Sequence, residues 1–272
     1  MTEKTGTTAT ERPSVQSLER ALDLLETLGK AEGALPLGEL ARRVNLHKST
    51  VYRLLQTLGK RGYVTQDADG RYRLGLRIVG LSSALLDSLD LREEARPYLQ
   101  QLLAQTNEVV HLVVMEQGEM VYIEKLEGTQ TVRMHSLVGK RVPAHCTGVG
   151  KAILAYLPSD EVEHILQEKG MPAHTPKTIT DLPAMLDELA RVRAQGYAID
   201  NEENEEGIIC IAAPIYDYRN RVIAAISLSA PSMRMGTSRV ESLIPLVKAT
   251  AANISAHFGA SGQGAAHGAS LA

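Results

Sequence analysis

The stretch Leu37–Arg61, LGELARRVNLHKSTVYRLLQTLGKR, restricts the chain more than any other. Leu37, Leu40, Ala41 and Val44 recur at helical spacing. Val51, Leu54, Leu55 and Leu58 repeat the pattern after a short break. Two apolar-striped helices this close together must turn sharply. Asn45 suits the turn, because Asn tolerates left-handed backbone better than most residues. Ser49 and Thr50 stand near the start of the second helix, where hydroxyls can cap free amides. His47, Lys48, Ser49, Thr50, Tyr52, Arg53, Gln56 and Thr57 are left facing outward, and all can bond to phosphates or base edges. The stretch holds six Lys or Arg (42, 43, 48, 53, 60, 61) against a single acid, Glu39. It is either a helix-turn-helix laid on DNA or a helical hairpin with a solvated basic face.

The flanking sequence favours the first. Upstream, a helix from Ser14 places Val15, Leu18, Ala21, Leu22, Leu25 and Leu28 on one face and closes at Gly29. The segment Ala31–Pro36 reads as a loop. Downstream, Tyr63–Gln66 and Arg71–Leu74 read as short strands around Asp67-Ala68-Asp69-Gly70, where Gly supplies the positive φ a hairpin turn needs. Three helices and a hairpin make a winged helix. Its wing carries Arg71 and Arg73 beside the same DNA, although a hairpin can also be purely structural.

The net charge of −3 alone argues against a nucleic-acid binder, but its distribution reverses that. Residues 14–75 balance at +3 and residues 76–272 at −6, as expected when only one domain touches DNA. The 272 residues suffice for two domains. With no Trp and a single Phe, their cores must be aliphatic. Cys146 and Cys210 are too few for a disulfide framework and point to a cytoplasmic chain. The N-terminus MTEKTGTTATERP has no apolar run, and no stretch approaches roughly eighteen apolar residues, so neither a signal peptide nor a membrane span is expected. The expected division is a disordered arm (1–13), the winged helix (14–75), a linker helix (76–90), a second domain (91–258) and a low-complexity, disordered tail (259–272).

Residues 76–89, LRIVGLSSALLDSL, run helically and without a break into Leu91–Thr106. An apolar face there could serve a dimer. The second domain then mixes strands and helices. Strands are expected at Val109–Met115, Met120–Lys125, Thr131–Ser136, Tyr197–Asp200, Ile208–Tyr216 and Arg221–Ser229. Residues 141–157 pass from extended chain into a helix. Further helices are expected at Glu161–Lys169, Leu182–Gln195 and Ser238 to about His257. The fold class is α+β.

Three places in this domain could carry chemistry. In AHCTGVGKAI, small residues lead into a helix whose free amides can hold an anion. It is not a P-loop: Ala152 follows Gly150-Lys151, and His145 stands where the first Gly is required. The alternative is a tight strand-to-helix turn. The run DNEENEE (200–206) has five carboxylates. Most such runs are solvated, it lacks EF-hand spacing, and Asp200 at the strand end is the member expected to point inward. Cys210 lies among apolar neighbours, while Ser227 and Ser229 share one face of their strand and suggest a polar pocket wall. Two rival chemistries remain. One is an enzyme with Cys146 as nucleophile, although no positioned base and no G-x-S-x-G or H-E-x-x-H motif is present. The other is a metal-sensing regulator using Cys146 and Cys210, with His145 and His135 as further ligands. No cofactor motif is present.

Taken in order, SVQSLERALDLLE, LHKSTVYRLLQTL, YRLGLRIVGL, AHCTGVGKAILAYLP, YAIDNEENEEGIICIAAPIYD and AAISLSAP resemble the IclR family of bacterial transcriptional regulators, over roughly residues 14–258. The resemblance implies a winged helix-turn-helix joined by a helix to a GAF-like effector domain, in dimers often paired into tetramers. It implies a small carboxylate effector held by the amides of Gly148 and Val149, by Asp200, by Cys210 and by Ser227 and Ser229. Met134 and Ile208 fall at apolar pocket positions, and Cys146 adjoins the set. DNEENEEGIIC looks most like the branch that senses 2-keto-3-deoxygluconate. The expected function is a repressor of a catabolic operon, not an enzyme, acting on a near-palindromic DNA operator.

Overall fold

The computed structural model describes residues 15–86, 90–130 and 136–261. The chain divides into two compact units, Met1–Leu89 and Asp90–Ala272.

In the first unit, α1 (Gln16–Gly29), α2 (Leu37–Arg43) and α3 (Lys48–Lys60) enclose an aliphatic core with the hairpin β1 (Val64–Gln66) and β2 (Tyr72–Leu74). Leu24, Leu28, Leu40, Val51, Leu55, Val64 and Tyr72 are buried together. Asn45 adopts φ 50°, as the turn between α2 and α3 requires. Gly70 adopts φ 76° in the hairpin turn, where the Asp67 carboxylate accepts the Asp69 and Arg71 amides at 3.1 and 2.9 Å. Three local expectations change. Helix α3 starts at Lys48 with His47 as its uncapped N-terminal residue, so Ser49 and Thr50 lie inside the first turn. Leu35, read as loop, pairs with Tyr72 through two 2.8 Å backbone bonds and adds a third short strand position. On α1 the core stripe is Leu24 and Leu28, while Val15, Leu18 and Leu22 are 65%, 59% and 50% exposed. The helix has two apolar stripes roughly 120° apart at 100° per residue, and only one faces this core.

The expected unbroken helix across residues 76–106 is two helices, α4 (Arg77–Leu86) and α5 (Leu91–Thr106). Asp90 begins α5 afresh: its backbone is extended and its carboxylate accepts the Arg92 and Glu93 amides at 2.8 and 3.3 Å.

Among the described residues, the second unit holds a six-stranded antiparallel sheet in the order β5-β4-β3-β8-β7-β6. Its strands are β3 (Val109–Glu116), β4 (Glu119–Leu126), β5 (Arg141–Val142), β6 (Ala198–Asn201), β7 (Ile208–Tyr216) and β8 (Val222–Pro231). The expected strand Thr131–Ser136 lies, except for Ser136, outside the described residues. One sheet face, with Leu112, Ile211, Ile226 and Leu228, packs against α5 and α9 (Thr237–His257). The other carries α6 (Gly148–Leu154), α7 (Ser159–Lys169) and α8 (Leu182–Gln195). Strand alternation gives this second face small residues, Ala198, Ala212 and Ala225, so α6 can sit close to the sheet. The Gly148 Cα approaches so closely that an added Cβ would lie 3.3 Å from the Ala212 methyl. Among the described residues, no helix is long and apolar enough to cross a membrane.

Candidate functional site

The first unit presents an exposed basic face. His47, Lys48, Ser49, Tyr52 and Arg53 of α3 are exposed, Thr50 is half-buried, and Arg71 and Arg73 are exposed on the wing. Arg43 is engaged by Glu39 at 2.5 Å, one turn away. Lys48, Arg53, Arg71 and Arg73 have no acidic partner among the described residues, so their charge is available to an outside anion.

The second unit gathers polar groups on the α6 side of the sheet. Strand register makes the cluster: Asp200 lies opposite Cys210, and Cys210 opposite Ser229. One step along, Ala212 pairs with Ser227 and Ser227 with His111. All point to the same face, because the side-chain period of a strand is two. Above them, Thr147 caps α6 by accepting the Gly150 amide at 3.2 Å and ties down the turn by donating to the Pro143 carbonyl at 2.7 Å. The result is a small cavity, open at its mouth, into which these polar groups converge.

Gly148, Val149, Asp200, Ile208, Cys210, Ser227 and Ser229 all line this cavity. Cys146 does not: it is buried beside it, its Sγ 3.6 Å from Asn204 Oδ1. Met134 and His135 lie outside the described residues. Six lining residues carry polar groups that sequence reasoning did not single out: Tyr122, Ser136, Lys140, Thr147, Asn204 and Glu205. Behind the wall, His111 is 1% exposed and bridges two hydroxyls, Ser136 at 2.8 Å (Nε2) and Ser227 at 3.3 Å (Nδ1). Burial, with Lys125 adding, lowers its pKa to about 3, so the imidazole is neutral and fixes both hydroxyls. A lone His within VVHLVV was the available signal, but its partners follow only from strand pairing.

The acidic run is not a solvated loop throughout. Glu203 is buried and paired with Lys151 at 2.5 Å, and Glu202 pairs with Lys177. Asp200 is 3% exposed and accepts the Glu203 and Asn204 amides at 2.7 and 3.3 Å. Burial pushes its carboxyl up to about 7, with the Glu203 carboxylate adding, while the two amides and Lys151 oppose the shift. A carboxyl raised in the folded state contributes stability that is fully present below the unfolded value near 4 and is lost as pH rises through about 7. Asp200→Asn keeps an acceptor oxygen and removes the titration. Its stability relative to the parent is therefore expected to grow between about pH 5 and pH 8 in urea melts. Parallel pH profiles for the two proteins would rule this out.

Burial also raises both thiols, Cys146 to about 12 and Cys210 further, with the Asp200 charge adding in each case. A buried protonated thiol is a poor nucleophile.

Comparison with known proteins identifies the family to which both units belong. Residues 17–68 match the family model "IclR helix-turn-helix domain", and residues 83–256 match "Bacterial transcriptional regulator IclR C-terminal". The chain is 38% identical over 224 residues to the HTH-type transcriptional regulator XynR of Escherichia coli, covering 82% of this chain and 89% of XynR. It is 38% identical over 247 residues to KdgR of the same organism, another HTH-type transcriptional regulator, covering 90% and 94% of the two chains. The solved structure of the Agobacterium tumefaciens repressor BlcR superposes with a TM-score of 0.78 at 29% identity, over 91% of this chain and 99% of BlcR.

Proposed function

The chain belongs to the IclR family of bacterial transcriptional regulators, and on that premise we propose a repressor that a small 2-keto or sugar acid releases from its operator. Its family and relatives are DNA-binding regulators, not enzymes. The observation that carries the effector reading is the composition of the cavity. Acceptor and hydroxyl groups of Asp200, Ser227 and Ser229 stand on the sheet, and the Gly148–Val149 turn, Lys140, Tyr122, Asn204 and Glu205 are among the other lining groups. A ligand carboxylate suits amides and an ammonium, and ligand hydroxyls suit Asp200 as acceptor. Cys210 and Ile208 pack the remainder, and Cys146 acts from behind through Asn204.

On the DNA side, α3 enters the major groove. Lys48 and Arg53 meet phosphate or bases, His47, Ser49, Thr50 and Tyr52 lie along the same edge, and Arg71 and Arg73 hold flanking phosphate. The protein acts in the cytoplasm as a homodimer, and as a pair of dimers on longer operators. The exposed stripe Val15, Leu18 and Leu22 supports a second copy as its cover. Two copies read near-palindromic half-sites about one helical turn, or a multiple of it, apart. The resemblance of DNEENEEGIIC to the 2-keto-3-deoxygluconate branch makes that acid the first effector to try, and a catabolic operon the target.

The test is operator binding at fixed salt, with and without a panel of 2-keto and sugar acids. Arg53→Ala is expected to weaken operator binding by about 1–3 kcal/mol. Ser229→Ala should bind operator normally yet need at least about tenfold more effector for release, the loss of one hydrogen bond. Unchanged operator affinity in Arg53→Ala would misplace the reading helix. Release of Ser229→Ala at the parental effector concentration would remove the cavity from the mechanism.

A further inference from the structure

One cluster of metal-ligating side chains lies beside the effector cavity without lining it. His145 and Cys146 lie between β5 and α6, and His174 lies in the segment between α7 and α8. One ligand atom from each of the three falls within 4.8 Å of the others. Around a tetrahedral zinc ion such atoms stand about 3.5 Å apart. His174 is exposed, and ligation at that spacing requires its side chain to rotate inward.

His145 is prepared for the task. Its Nε2 lies 3.1 Å from the Pro172 carbonyl, which can only accept, so Nε2 carries the proton and Nδ1 keeps its lone pair. A ligating imidazole that donates its other N–H to a carbonyl is the usual second contact of a metal-bound histidine. Cys210 and Asp200 are not members of this cluster, so it differs from the cysteine pair considered from sequence.

We infer that His145, Cys146 and His174 form a zinc site, open at its fourth position, that ties the α7–α8 segment to the base of α6. Two imidazoles and a thiolate suit Zn²⁺ over Mg²⁺ or Ca²⁺. The Cys146 proton leaves to solvent as the metal binds. The Sγ contact to Asn204, a cavity-lining residue, puts the site one side chain away from the effector cavity.

The full-length protein, stripped with a chelator, would be titrated with Zn²⁺ against a chromophoric zinc indicator. About one zinc per chain is expected, with an affinity in the micromolar range or tighter. His174→Ala changes an exposed side chain and should weaken zinc binding at least about tenfold, with the circular dichroism spectrum retained. Cys146→Ser should do the same and abolish the thiolate-to-cobalt charge-transfer band of the Co²⁺-loaded protein. Cys210→Ser should leave zinc affinity unaltered. No zinc binding by the parent, or full affinity in His174→Ala, would overturn the site. Zinc binding lost in Cys210→Ser but kept in His174→Ala would overturn it too, and would move the metal into the effector cavity.

Discussion

Lys151→Met is expected to destabilise the second domain by about 3–5 kcal/mol, the usual cost of stranding one member of a buried ion pair. Lys151 is fully buried on α6. Its ammonium donates to Glu203 Oε1 at 2.5 Å and to the Ile199 carbonyl at 2.6 Å, with Glu188 at 3.5 Å. Glu203 is itself buried, and its Oε2 has no partner among the described residues. Burial already holds the Glu203 carboxyl above its ordinary range, and Lys151 is the main opposing influence. Without Lys151 that carboxylate must take up a proton or pull out of the structure. At about 2–4 °C per kcal/mol for a domain of this size, the loss in Tm is roughly 10 °C. The double variant Lys151→Met/Glu203→Leu replaces the pair with apolar groups of similar volume and should recover most of the loss. Urea melts of the single and double variants measure this as a coupling energy. A single variant within about 1 kcal/mol of the parent would show that the pair is not what secures the segment. The functional consequence follows from position. Lys151 projects from the helix whose first turn forms one cavity wall, and Glu203 lies in the run that carries Asp200 and Asn204 on the other.

Gly150→Ala is expected to be nearly as damaging, at roughly 3 kcal/mol, and to abolish effector response in whatever protein still folds. An added Cβ would lie 2.1 Å from the Ala144 carbonyl oxygen and 2.5 Å from its Cα. Both are backbone atoms of the segment that Thr147 ties to Pro143, so no side chain can move aside. Either the first turn of α6 or the 143–147 turn must shift, and the amides of Gly148 and Val149 shift with it. Gly148→Ala is the calibrating variant. Its nearest contact is the Ala212 methyl at 3.3 Å, so its cost should be about 1 kcal/mol. Equal Tm losses for the two variants would refute the distinction between backbone and methyl contact.

Much of the first domain was legible in sequence because its determinants are local. The stripes of α2 and α3, the positive φ at Asn45 and the Asp67–Gly70 turn each depend on residues a few positions apart. In the second domain, alternation correctly placed Ser227 and Ser229 on one strand face, and the small residues of the glycine-rich run do lead from extended chain into a helix, α6. The continuous helix across residues 76–106 was misread because periodicity passes through Asp90, whereas a capping carboxylate overrides it. In the acidic run Asp200 does point inward as expected, but the burial of Glu203 was not foreseen, because charge density alone does not tell a solvated carboxylate from one matched by a buried lysine 52 positions away.

The sequence by itself determined the helix-turn-helix, the α+β class, and which face of each strand is polar, since periods of 2 and 3.6 residues are properties of a single segment. Only the tertiary structure decided which polar faces meet. Asp200, Cys210 and Ser229 form one row, and His111 reaches Ser136 and Ser227, because strand register brings together residues up to 116 positions apart. It also decided which stripe of α1 is core, Leu24 and Leu28 rather than Leu18 and Leu22. A helix with two apolar stripes offers both to the core, and only the shape of what packs against it selects one.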